Sequence, residues 1–119
     1  MRVIQLEKML MGYQLEARCS ILDEGIHVLL TGGSRTHVGA VSFCFPGEQA
    51  QTVQFPGHRD GVVSEKWAEC LCRKLDTPVT VNCGIHYDNV DKEDICRIVA
   101  ETEEMLAQLE IQIRTQQPR

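Results

Sequence analysis

No apolar run in this 119-residue chain approaches the ~20 residues that a helical membrane span requires. The first residues, Met1-Arg2-Val3-Ile4-Gln5-Leu6-Glu7-Lys8, lack the apolar core and small-residue cleavage site of a secretory leader, so a cytoplasmic protein is expected. Positive charge is also in short supply. Twelve Lys and Arg against 17 Asp and Glu give a net charge of −5, which argues against a binder of nucleic-acid backbone but leaves room for a local basic pocket. The six cysteines (Cys19, Cys44, Cys70, Cys72, Cys83 and Cys96) form no CxxC pair and no zinc-type double spacing. In a reducing compartment they read as free, buried thiols acting as small hydrophobes rather than as a disulfide framework. The phosphate-loop pattern GxxxxGK followed by Ser or Thr, the dinucleotide pattern GxGxxG and a nucleophile elbow are all missing. Gly32-Gly33-Ser34-Arg35 therefore reads either as a hairpin loop or as a weak phosphate cradle. There are no internal repeats, low-complexity tracts or linkers, so residues 1–119 are expected to form a single domain.

Hydrophobic residues make up 43% of the chain and charged residues 24%, ordinary values for a globular protein. Residues 1–10 read as a short strand or a mobile lead-in. From Tyr13 the period is two: Tyr13, Leu15, Ala17, Cys19 and Ile21 share one face, with Gln14, Glu16, Arg18 and Ser20 on the other. Asp23-Glu24-Gly25 is a turn, and Ile26–Thr31 is the second arm of a hairpin. A loop over Gly32–Thr36 leads into a third strand, His37–Phe45, whose apolar residues occupy both faces and so predict a central position. Thr52–Phe55 reads as a short fourth strand.

Val63, Trp67, Leu71 and Leu75 recur every four residues, with Ala68 and Cys72 beside them, which predicts a helix from Val63 to Leu75 with Ser64 as a cap. Asp76-Thr77-Pro78 stops it. Val79–Cys83 alternates as a strand, and Gly84–Asn89 reads as its exit loop. Asp91 then caps a long helix whose buried stripe is Ile95, Ile98, Val99, Thr102, Met105, Leu106, Leu109 and Ile113, with residues 114–119 fraying. The order predicts an α/β (α+β) two-layer sandwich: a largely antiparallel β-sheet with two helices packed on one face. The other sheet face then needs a cover, and a homodimer formed through it or through the long helix is expected.

Three loops carry the candidate chemistry. Arg35 and His37 lie in the first, before Gly39; His58, Arg59 and Asp60 lie in the second; His86 and Asp88 lie in the third. Loops are where functional residues concentrate. Histidine with aspartate can hold a polar cofactor or a divalent metal, and arginine's planar fork suits phosphate or carboxylate. The plainer alternative is that each histidine pins its own loop by hydrogen bonds. His27, within a strand, reads as structural, and Cys83 continues the apolar alternation of Val79 and Val81 and so reads as a core thiol rather than a nucleophile.

Taken in order, Thr36-His37-Val38-Gly39-Ala40-Val41, Pro56-Gly57-His58-Arg59-Asp60 and Gly84-Ile85-His86-Tyr87-Asp88-Asn89 resemble the LpdD-like small D subunits that accompany UbiD-type hydroxyarylic acid decarboxylases. The likeness spans about Tyr13 to Leu109. It implies a fold like that of the proteasome assembly chaperones. It also implies a non-catalytic accessory protein that binds prenylated FMN, or FMN, and helps load the decarboxylase large subunit. Under that reading Arg35 or Arg59 meets the flavin phosphate, and His37, His58 and His86, with Gly39, Asp60 and Asp88 beside them, shape the site. Tyr87 or Trp67 would stack on the ring, although the helical stripe that holds Trp67 marks it as a core residue. The alternative is a small divalent-metal enzyme, or a decarboxylase subunit, built on His37, His58 and His86.

Overall fold

The computed structural model describes residues 1–116. Alternation in the first third of the chain produces three antiparallel strands in a meander: β1 (Arg2–Leu10), β2 (Tyr13–Leu22) and β3 (Gly25–Gly33). The opening segment is thus a full edge strand, paired with β2 from Arg2 opposite Ile21 to Leu10 opposite Tyr13. Strands β4 (Ala40–Cys44) and β5 (Gln51–Gln54) form a second hairpin, followed by helix α1 (Gly61–Leu75), strand β6 (Val79–His86) and helix α2 (Lys92–Gln116). Sheet order is β1-β2-β3-β6-β4-β5. The last strand in sequence therefore sits between β3, to which it is parallel, and β4, to which it is antiparallel. Every other pairing is antiparallel. The result is the predicted mixed α+β sandwich with a largely antiparallel sheet.

Both helices cover one face. Trp67, Ala68, Leu71 and Cys72 of α1 and Met105, Leu106, Leu109 and Ile113 of α2 join Leu15, Ala17, Cys19, Val28, Leu30, Val79, Val81 and Cys83 of the sheet in one core. A buried run of hydroxyls stitches β4, β5 and α1 together. Ser42 Oγ lies 2.6 Å from Thr52 Oγ1 and 2.7 Å from Ser64 Oγ, and Ser64 donates to the Gly61 carbonyl. Burying these polar atoms is tolerated because each has a partner. No helix among the described residues is long and apolar enough to cross a membrane.

Several boundaries differ from the sequence expectation, each for a physical reason. The third strand shrinks from His37–Phe45 to Ala40–Cys44, because residues 35–38 leave the ladder to cross the end of β6. Gly32-Gly33 and Gly84-Ile85-His86, read as loops, extend β3 and β6: Gly32 pairs with both Leu15 and Ile85, and Gly33 pairs with His86. Helix α1 starts at Gly61 after Asp60, and Ser64 lies inside it, buried, rather than capping it. Tyr13 is 47% exposed, since it begins an otherwise buried row at the very end of β2. Asp91 does cap α2, in a reciprocal box in which the Asp94 N–H donates to Asp91 Oδ1 and the Asp91 N–H donates to Asp94 Oδ2.

The buried stripe of α2 begins only at Thr102. Ile95 and Val99, at 49% and 37% exposure, belong to turns that run past the sheet. At 1.5 Å per residue this helix is about 37 Å long, more than the strands can cover. Helix persists through Gln116, so residues 114–116 are not frayed, and residues 117–119 lie outside those described. All six cysteines are free thiols; Cys19, Cys44, Cys72 and Cys83 are buried, but Cys96 is exposed and Cys70 half-buried.

Candidate functional site

The loop after β3 is held by backbone contacts at both ends. The Ser34 N–H donates to the His86 carbonyl at 2.8 Å, and the Gly39 N–H donates to the Cys83 carbonyl at 2.9 Å. Between them the chain lies flat on β6. A Cβ at Gly84 would run into the His37 carbonyl, and one at Gly39 would run into the Asp60 carboxylate. Glycine at both positions is what allows the His37 loop, the Asp60 turn and the end of β6 to converge.

Asp60 is the hub of that convergence. Its side chain is turned away from the helix it precedes and makes no cap bond. Oδ1 accepts the Ile85 N–H at 3.0 Å and lies 4.0 Å from Cys83 Sγ. Oδ2 lies 3.1 Å from His37 Nε2. The other ring nitrogen, Nδ1, stands 3.2 Å from the Arg35 carbonyl. His58 stacks on His37 with ring centroids 4.6 Å apart and planes 26° apart. Burial, and then the neighbouring Asp60 carboxylate, push the Cys83 thiol far above its usual range.

His86 belongs to an adjoining group. Its Nε2 is 2.9 Å from Asp88 Oδ1, and Ser34 Oγ donates to Asp88 Oδ2 at 2.9 Å. The bond from His86, then that from Ser34, hold the Asp88 carboxyl below its usual 3.8; exposed Arg35 adds a smaller electrostatic pull. This clasp favours the fold above the ordinary carboxylate range and is lost as pH falls through the lowered Asp88 value.

A cleft of about 330 Å³ opens beside these groups. One wall carries Asp60, Arg59 and His86; the other is apolar, made by Val63, Ile85 and Val90 with Ile95, Ile98 and Val99 of the overhanging α2 turns. Tyr87 closes the floor, buried, edge-on to Tyr13 at 6.1 Å, its phenol pKa raised by that burial. Two larger hollows, about 440 and 410 Å³, lie along the charged outer face of α1 and under the Pro46–Gln49 turn. They lack the apolar wall, and the three histidine-bearing loops do not reach them.

Of the eight residues singled out in the sequence, Arg59, Asp60 and His86 line the cleft, while His37, His58 and Gly39 surround Asp60 behind it. Arg35 and Asp88 are exposed and do not line it. Trp67 is fully buried and unavailable for stacking. The apolar wall was not foreseen. Ile95, Ile98 and Val99 continue the α2 stripe in sequence, and only the length of that helix hints that they outrun the core.

The family described as the prenylated flavin chaperone LpdD-like domain matches residues 10–114. This chain belongs to that family. Protein LpdD of Lactiplantibacillus plantarum (strain ATCC BAA-793 / NCIMB 8826 / WCFS1) is 28% identical over 103 residues, covering 82% of this chain and 76% of the relative. A chain in the crystal structure of a novel chaperone complex for yeast 20S proteasome assembly superposes with a TM-score of 0.57 at 12% identity, over 89% of this chain and 99% of that one. That second likeness establishes a shared fold. A chaperone role for this LpdD-like chain follows from its family; what it carries is a separate question.

Proposed function

We propose that this LpdD-like chaperone holds prenylated FMN in the cleft between β6 and the first turns of α2, and delivers it to the large subunit of a UbiD-type decarboxylase. The observation that carries this reading is the pairing of an apolar wall with the Arg59 guanidinium in one open cleft. The donor set fits a flavin mononucleotide. A flat tricyclic ring gains from an apolar wall such as Ile85, Ile98 and Val99, and a phosphate gains from the Arg59 fork. The anionic Asp60 disfavours a phosphate at the inner end and so directs it to Arg59. His86 offers a ring nitrogen to the polar edge. An open cleft suits a carrier, which must release its cargo as well as hold it.

Fluorescence titration with FMN and with reduced prenylated FMN tests this reading. Arg59→Ala is expected to weaken binding by at least about tenfold, the value of one charge-assisted contact. Ile98→Glu is expected to abolish it. Wild-type affinity in both variants would overturn the cleft as the binding place.

The open sheet face supports the further proposal of a homodimer. Phe43 and Val53 are 43% and 52% exposed there, and Phe45 and Phe55 at the strand ends are 59% and 38% exposed. A second copy covering this patch would remove it from water. Light scattering is expected to give twice the chain mass, and Phe43→Glu to give the monomer mass. A monomer mass for the wild type would refute it.

A further inference from the structure

We propose that His37, His58 and Asp60 form a binding site for one divalent first-row transition-metal ion, adjoining the flavin cleft and sharing Asp60 with it. One ligand atom from each of the three lies within 4.8 Å of the others, an arrangement otherwise absent among the described residues. Two imidazoles and a carboxylate are the donor set that imidazole-preferring divalent metals share, with positions left open for water or a ligand.

The geometry at His37 suits a cation. Its two ring nitrogens face two oxygen acceptors, the Arg35 carbonyl at 3.2 Å and Asp60 Oδ2 at 3.1 Å. A neutral imidazole has one N–H and can satisfy only one of them. His58, stacked on His37 with ring centroids 4.6 Å apart, brings a third ligand atom into reach. With a metal, Nδ1–H donates to the Arg35 carbonyl, which fixes the tautomer that turns the Nε2 lone pair toward Asp60. Metal-bound histidines are usually anchored in this way.

The spacing fits as well. Two ligands about 2.1 Å from one ion and at right angles stand about 3.0 Å apart. The His37–Asp60 separation is 3.1 Å. Asp60 Oδ1 is already engaged by the Ile85 N–H, so Oδ2 is the oxygen left to bind. His58 completes the set by a modest turn of its half-buried ring. The missing Cβ of Gly39 leaves the space in which Asp60 Oδ2 and His37 Nε2 meet. Cys83 is not part of the three-residue group, and His86 is paired with Asp88 instead. The metal site is thus not the three-histidine cluster that sequence order suggests: an aspartate takes the place of the third histidine.

The test uses untagged full-length protein, stripped of metal by chelator and desalted, titrated with Co²⁺ and followed by its visible absorption and by calorimetry. One equivalent is expected to bind. His37→Ala, His58→Ala and Asp60→Asn should each weaken binding by more than about tenfold, since losing a ligand costs more than losing the outer partner of one. His27→Ala, on the open sheet face beside Asn82, serves as the control and should bind as wild type. Circular dichroism checks that each variant is folded; His58 lies in a surface turn, so its variant is the least exposed to that objection. No stoichiometric uptake, or unchanged affinity in both histidine variants, overturns the site. Flavin titration of the metal-free protein is a separate readout: retained flavin binding alongside absent Co²⁺ binding would remove the metal site and leave the cleft reading standing.

Discussion

Asp60→Ala is expected to lower stability by about 2–4 kcal/mol, read by urea denaturation. The buried carboxylate accepts the Ile85 N–H at 3.0 Å and meets His37 Nε2 at 3.1 Å. Removing it strands a backbone donor at the end of β6 and an imidazole in a part-buried niche, and each such loss costs about 1–3 kcal/mol. The loss is not that of a helix cap, since the Asp60 side chain makes no cap bond to α1. Asp60→Asn separates the two effects. It keeps an acceptor for Ile85 and the same shape, so most of the stability should return, while the anion opposite His37 is gone. Equal destabilisation by alanine and asparagine would show that the charge, rather than the hydrogen bond to β6, holds this corner.

Gly84→Val is expected to cost about 3 kcal/mol, the upper part of the usual range for overpacking, because the obstruction is backbone. A Cβ there would overlap the His37 carbonyl, and backbone in a central strand cannot swing aside as a side chain can. The His37 loop must lift off β6, which separates His37 from Asp60, so the variant should also lose the stacking of His37 on His58. A comparison isolates the packing cause. Gly57 has φ of +80° and open space around its missing Cβ, so Gly57→Ala should cost only about 1–2 kcal/mol, from backbone conformation alone. Thermal unfolding followed by circular dichroism ranks the two. A Gly84→Val protein as stable as wild type would mean that the loop does not rest on β6.

Much of the fold was legible in the chain. The alternation from Tyr13 to Ile21 and the fourfold recurrence of Val63, Trp67, Leu71 and Leu75 are local signals, set by which faces need burying, and both became a strand and a helix. Boundaries were less legible wherever a glycine was involved. Gly32-Gly33 and Gly84 look like loop residues to a local reading, yet they are strand residues selected because another chain segment presses on them. Ile95 and Val99 carry the same periodicity as Leu106 and Leu109, but nothing local reveals that the sheet ends beneath them and a cleft begins.

The sequence by itself determined the class of fold, the burial of most of the thiols and the three loops that hold the polar chemistry. It also carried the LpdD-like motifs in their order. Only the tertiary structure decided how the loops are shared out. Insertion of β6 between β3 and β4 brings Asp60, His37 and His58 into contact from segments 21–23 residues apart and leaves His86 with its near neighbour Asp88. The physical reason is that hydrophobic periodicity is written along the chain, whereas a site is made by contacts across it. Those contacts depend on sheet order and on where a missing Cβ lets two backbones meet, and neither has a period to read.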